Sequence, residues 1–279
     1  MELGIFAKTF IRVDFEEGFA AAKSFGLECI QFNFSCAGLP TLPESIEPVL
    51  LDRIGLALER SSLSMAAVSG TCNLINPDTA HRTKDLRNLR TLIGACAGLG
   101  APVVTLCTGT RDPVNMWRAH PDNHSPDAWR DLVHSLEQLL PIAQERRVFL
   151  GIEPEPANVI DSALKARKLL DEIQSPWLKV IFDAANLLQP STLHRQHEIL
   201  SEAVDLLAAD TVVAHAKDLT GDASAGHVAA GRGALDYKLY LQLLQRAGFK
   251  GPLILHNLSE EELPGAVSFL RKRLHDLFA

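Results

Sequence analysis

Eight short apolar runs recur along this chain, separated by stretches long enough for a helix, and that alternation limits the fold more than any other feature. The runs are Leu3–Ala7, Cys29–Phe34, Met65–Gly70, Val103–Cys107, Phe149–Ile152, Val180–Phe182, Thr211–Ala214 and Leu253–Leu255. Each reads as a buried strand. Strands that alternate with helices predict parallel pairing through right-handed crossovers. Closing eight such units into a (β/α)8 TIM barrel removes the sheet edges that an open, doubly wound arrangement would leave. The expectation is an α/β chain with one barrel domain over residues 1–279.

The intervening stretches carry helical periodicity. Asp14–Phe25 places Phe15, Phe19, Ala22 and Phe25 on one face, and Val49–Leu58, Asp127–Arg147, Ser162–Ile173 and Tyr237–Gly248 repeat the pattern at spacings of mostly three and four. Gly26, Gly100 and Gly248 each stand between a helical stretch and a strand, where a left-handed C-cap is expected. Ser125-Pro126-Asp127 offers an N-cap followed by proline in the first turn, and Ser162 offers a second start.

Bulk properties exclude several function classes. A 279-residue chain with 47% hydrophobic and 22% charged residues can build a core. A formal charge of −7 does not steer a protein onto nucleic acid. No run reaches the ~20 apolar residues of a membrane span. The N-terminus enters a strand at once, without a signal-peptide pattern. Five scattered cysteines without a Cys-x-x-Cys pair suggest reduced thiols in a cytoplasmic protein.

The last four runs end on metal-capable side chains: Glu153, Asp183, His215 and His256. In a parallel barrel those ends face one mouth, so the four could converge on one cation. Taken singly, each has a plainer role. Glu153 could be a solvated loop carboxylate, Asp183 a cap of the following turn, and the histidines core residues bonded to carbonyls. Taken together, two carboxylates and two imidazoles suit Mn²⁺, Co²⁺ or Zn²⁺ better than Ca²⁺, with Mg²⁺ less favoured by the nitrogens.

Further candidates surround them. Glu155 shares a side with Glu153 and reads as an orienter, a substrate contact or a solvated rim residue. Lys217 shares a face with His215 and could meet a substrate oxygen or pair with Glu155 or Asp218. Asn186 follows Asp183 by about one turn and could bind substrate or cap a helix. The long stretch Thr108–Ser125 holds Arg111, Trp117 and Arg118, and reads as a lid supplying an aromatic wall and a cation, or as a packed surface loop. Arg232, in Gly231-Arg-Gly within the irregular stretch Thr220–Leu235, rivals the lid arginines as an anion contact. Asn33 and Asn73, at the ends of strands two and three, could complete the pocket.

In order and spacing, Gly151-Ile-Glu153-Pro-Glu155, Asp183-Ala-Ala-Asn186, His215-Ala-Lys217-Asp218, Gly231-Arg232-Gly233 and Gly-Pro-Leu-Ile-Leu-His256 make the chain resemble the sugar phosphate isomerase/epimerase superfamily of xylose-isomerase-like barrels. That group also contains inosose dehydratases, ketose 3-epimerases and AP endonucleases of the endonuclease IV type. The resemblance implies one divalent metal held by Glu153, Asp183 and His215, and His256 stands where many relatives have a second Glu. In ketose epimerases of the group, two metal-bound glutamates exchange a proton with opposite faces of the substrate; Glu153 is expected to serve as one such catalytic group, and His256 as a ligand, a catalytic acid/base or both, two roles that compete. The implied activity is isomerisation or epimerisation of a small polar sugar, ketose or polyol, by proton abstraction beside a metal-polarised carbonyl. An inosose-type dehydratase and a non-catalytic sugar-binding barrel are the alternatives. The resemblance also implies a homo-oligomer, a dimer or tetramer.

Overall fold

The computed structural model describes residues 1–222 and 226–278. Its strands are β1 (Leu3–Phe6), β2 (Cys29–Phe32), β3 (Ser64–Ser69), β4 (Val103–Cys107), β5 (Phe149–Glu153), β6 (Leu178–Asp183), β7 (Thr211–Leu219), β8 (His227–Ala229) and β9 (Leu253–Leu255). Successive pairs from β1 to β7 are parallel, β9 pairs with both β7 and β1, and the ring therefore closes. This is the (β/α)8 barrel expected from the alternation. Eight α-helices follow in chain order: α1 (Phe15–Ser24), α2 (Pro48–Ser61), α3 (Thr79–Cys96), α4 (Pro126–Arg146), α5 (Ala163–Ile173), α6 (Gln196–Leu207), α7 (Tyr237–Arg246) and α8 (Leu263–Phe278). None of the described helices is long and apolar enough to cross a membrane.

The caps follow the local chemistry. Gly26, Gly100 and Gly248 take φ of 72°, 63° and 77°, a region that L side chains enter at a cost. Ser125 accepts from the Ala128 amide and Ser162 from the Lys165 amide, which starts α4 and α5.

Two apolar layers result. Leucines and other side chains on one parity of each strand pack outward against the helices. The other parity fills the barrel with a small, separate cluster that includes Cys29, Ala67, Val103, Ile181, Val213 and Ile254. Gly151 belongs to the same level: a Cβ there would stand 2.5 Å from the Ile181 side chain, so glycine makes room for the isoleucine. One strand period above this floor the inward residues turn polar.

β7 runs five residues beyond the apolar run read from the sequence and folds back as a hairpin, with Lys217 opposite Ala229 and Leu219 opposite His227. The stretch Thr220–Leu235 is thus partly regular, and its residues 223–225 lie outside the described residues. Asp218 ties the hairpin together by accepting from the amides of Gly231 and Leu235.

Candidate metal centre at the barrel mouth

Side-chain alternation places the site. Strand residues two apart share a face, so the positions two beyond the apolar floor point into the mouth. These are Gln31, Ser69, Thr105, Glu153, Asp183, His215 and, after β9, His256. Glu153, Asp183, His215 and His256 each bring one donor atom within 4.8 Å of the others.

The separations suit a small cation. His215 Nδ1 lies 3.3 Å from Glu153 Oε1 and 3.6 Å from Asp183 Oδ2, and His256 Nε2 lies 3.1 Å from the same Asp183 oxygen. Bonds of about 2.0–2.2 Å in a tetrahedral site put donors about 3.3–3.6 Å apart. The donor set and its spacing therefore fit a divalent metal of the zinc or manganese type.

Surrounding residues fix these groups. Asp183 Oδ1 accepts from the amides of Ala185 and Asn186, so this carboxylate caps a turn with one oxygen and faces the cluster with the other. Asn186 Nδ2 donates to Glu153 Oε1 at 2.7 Å. Gln31 Oε1 lies 3.0 Å from His215 Nε2, which orients that ring and leaves Nδ1 for the cluster. Asn257 follows His256 in a left-handed conformation (φ 58°) and donates to the His227 carbonyl, which anchors the end of β9 to the hairpin.

Lys217 completes the electrostatics. Its Nζ stands 3.0 Å from Asp183 Oδ2 and 3.9 Å from Glu153 Oε1, with the side chain almost fully buried. Burial opposes every charge here, and the neighbours decide the outcome. Burial would raise Asp183, but Lys217 and the two histidines hold it well below the usual carboxylate range. Burial likewise opposes ionisation of Glu153, but His215 and Lys217 keep it ionised. Burial would lower His215, yet Glu153 and Asp183 raise it to about 9. His256 is pushed down to about 4 by burial and by the cations His215 and Lys217. Glu155 is pushed up to about 8 by burial and by Glu153, so it carries a proton at neutral pH.

A cavity of ≈ 410 Å³ opens above the cluster. Trp117 of the lid, Glu155, Asn186 and Lys217 line it, as do Gln31, Ser69, Thr71, Thr105, His227 and Asn257. A larger cavity of ≈ 690 Å³ lies at the opposite end, lined by residues that begin strands, such as Ser64 and Thr211. Barrel chemistry sits at the C-terminal ends of strands, so the smaller cavity is the candidate site.

Five expected contacts lie elsewhere. Arg111 is held by Asp131 at 2.7 Å and by the Ile75 carbonyl, and does not line the mouth cavity. Arg118 pairs with Asp112 inside the lid, so the cation at the mouth is Lys217, not a lid arginine. Arg232 is exposed on its turn, outside the cavity. Asn33 caps a short 3-10 turn by accepting from the Ser35 amide. Asn73 braces the lid by bonding both the amide and the carbonyl of Thr110.

A closed parallel barrel with a carboxylate and imidazole cluster at its mouth defines a class of (β/α)8 proteins whose mouths can hold a divalent metal. Within it, the chain belongs to the xylose isomerase-like TIM barrel family, whose sequence profile matches residues 19–273. Similar solved structures include a D-tagatose 3-epimerase-like protein with 14% identity, TM-score 0.79, and coverage of 99% of this chain and 98% of that one. The 3-keto-D-glucoside 4-epimerase YcjR from E. coli follows at 15% identity, TM-score 0.75, and coverage of 98% and 99%. The IolI protein with a bound zinc atom matches at 16% identity, TM-score 0.72, and coverage of 99% and 98%. At such identities the likeness shows the fold alone. No curated protein matches the chain.

Proposed function

We propose that this chain is a divalent-metal-dependent isomerase or epimerase of a small sugar, ketose or polyol. The observation that carries the reading is the convergence of Glu153, Asp183, His215 and His256 at one point of the mouth, with Lys217 against two of them. The names of the similar tagatose and ketoglucoside epimerases and of zinc-bound IolI support it. A divalent cation held by the four residues would polarise a substrate carbonyl and acidify the neighbouring C–H.

The chain's own groups supply the rest. Glu153 is ionised, and its contacts with Asn186, His215 and Lys217 all fall on Oε1. Oε2 is therefore the oxygen suited to take the proton from carbon. Glu155, two residues on and protonated, can return a proton. Lys217 stabilises negative charge developing on the substrate oxygen. Neutral His256 serves as ligand, and ligation suppresses its basicity. Trp117 adds an aromatic wall to the cavity.

The protonated state of Glu155 also suits protonation of a departing hydroxyl, so a dehydratase is the second reading. Incubating Mn²⁺-loaded protein with ketoses and inososes in D₂O separates the two. Deuterium on the carbon beside the carbonyl, without loss of water, is the expected result, and Glu153→Gln should abolish it while the fold persists. Water loss selects the lyase. Metal-indifferent protein without exchange on any of these sugars refutes both.

A further inference from the structure

A ligand side chain is aimed no better than the peptide unit that carries it. At the mouth, two tyrosines of α7 grip those units from outside the barrel. Tyr237 and Tyr240 stand three residues apart in the first turn of the helix, so they share a face. That face is turned to the sheet, and both residues are buried, Tyr240 completely. Asp236 starts the helix by accepting from the Leu239 amide, which fixes where the two rings enter. Phe182 of β6 stacks on the Tyr240 ring at 5.9 Å, and Phe269 of α8 meets the Tyr237 ring at right angles at 5.2 Å.

Both hydroxyls bond backbone carbonyls beside the site. The Tyr240 hydroxyl lies 3.0 Å from the His215 carbonyl and 3.3 Å from the Phe182 carbonyl. The Phe182 carbonyl belongs to the peptide unit that enters Asp183, and Asp183 stands opposite His215 in the β6–β7 register. One hydroxyl proton is thereby shared between the backbones of two candidate ligands on neighbouring strands. The register between these strands shifts at Val180 and Ile181, just before the site. A shift of that kind disrupts the ladder locally, so a clamp from outside has something to correct. The Tyr237 hydroxyl donates to the Lys217 carbonyl at 2.9 Å.

Ring packing does not call for either hydroxyl. Phenylalanine would fill the same space, and a phenol oxygen away from water is costly unless it is bonded. What the hydroxyls add is their hold on the carbonyls of β6 and β7.

We propose that Tyr240 is a positioning residue for the metal centre. It sets the separation of the Asp183 and His215 backbones, and through them the 3.6 Å between Asp183 Oδ2 and His215 Nδ1. Tyr237 does the same for Lys217, which faces Asp183 and Glu153 but is not a candidate ligand. The proposal rests on the metal reading of the mouth and extends it to a residue that does not line the cavity.

Three variants test this. Tyr240→Phe and Tyr237→Phe keep the rings and remove one hydroxyl each, so the packing that holds the fold persists. Phe269→Leu loosens α7 on α8 and keeps both hydroxyls. Chelator competition for Mn²⁺ and the visible spectrum of Co²⁺-loaded protein read the site, and thermal unfolding in EDTA reads the fold. Tyr240→Phe should weaken Mn²⁺ binding about tenfold, the lower end for loss of a contact that orients ligands. It should also change the Co²⁺ spectrum, which follows ligand geometry. Tyr237→Phe and Phe269→Leu should lower Tm without weakening Mn²⁺ binding. Unchanged affinity and spectrum in Tyr240→Phe, or equal weakening in all three variants, overturns the positioning role alone. Wild-type protein that binds neither ion overturns the metal reading of the mouth with it.

Discussion

Lys217→Met isolates the electrostatics of the mouth. In the wild type, Nζ lies 3.0 Å from Asp183 and 3.9 Å from Glu153. At an effective dielectric of about 20 these separations correspond to attractions of about 5 and 4 kcal/mol before desolvation is subtracted. Removing one partner of a buried pair typically costs ~3–5 kcal/mol, because the remaining charge stays buried. Here His215 still faces both carboxylates, so the lower end, about 3 kcal/mol, is expected for metal-free protein at neutral pH. In a chain of this size that shift corresponds to a fall of roughly 6–12 °C in Tm. The assay is thermal unfolding of wild type and variant in EDTA and again in excess Mn²⁺. A divalent cation on the same carboxylates takes over the neutralising role of the lysine. The metal should therefore raise the variant's Tm more than the wild type's. A metal-free loss below about 1 kcal/mol would refute the buried-pair argument. Equal metal rescue in both proteins would refute the idea that lysine and metal share Asp183.

Four further outcomes are expected. Gln31→Leu removes the partner of His215 Nε2 and should weaken Mn²⁺ binding about 10–100-fold in a chelator competition, as loss of a ligand-orienting contact does; unchanged affinity would count against that role. His215, raised to about 9 without metal, must lose its proton to become a ligand, so Mn²⁺ binding at pH 7 should release about one proton, counted by calorimetry in buffers of different ionisation enthalpy. The same raised value gives metal-free protein a contribution that is full below about pH 6.5, the unfolded value, and lost as pH rises through 9, so Tm in EDTA should fall across that window. Gly151→Ala puts a methyl 2.5 Å from Ile181 and should cost about 1–3 kcal/mol in denaturant unfolding; a neutral result would show that the barrel floor has slack.

The barrel was legible because its strands are short apolar runs bounded by polar helices, a pattern that survives without any tertiary information. Glu153, Asp183, His215 and His256 were legible because each ends such a run. Gln31, Ser69 and Thr105 were not, since each sits inside a run. Their signal is parity: each lies two residues beyond Cys29, Ala67 or Val103, and knowing that those three face inward would have exposed them. Arg111 and Asn73 misled for the opposite reason. Their positions beside the mouth are real, but Asp131 and the Thr110 backbone claim them through contacts distant in sequence. The hairpin of β7 and β8 was hidden because His227–Ala229 is too short to carry a period.

Asp183 holds the Asn186 amide, Asn186 grips Glu153, Glu153 faces His215, and His215 returns to Asp183. That is a closed circuit. Disturbing any member shifts the aim of the next, so the mouth behaves as one switch and not as four independent side chains. Substitutions at these positions should show strong non-additivity, with the first change doing most of the damage and later ones adding little. Redesign toward another metal or sugar then has to begin outside the circuit, at Gln31, Thr105 or the lid.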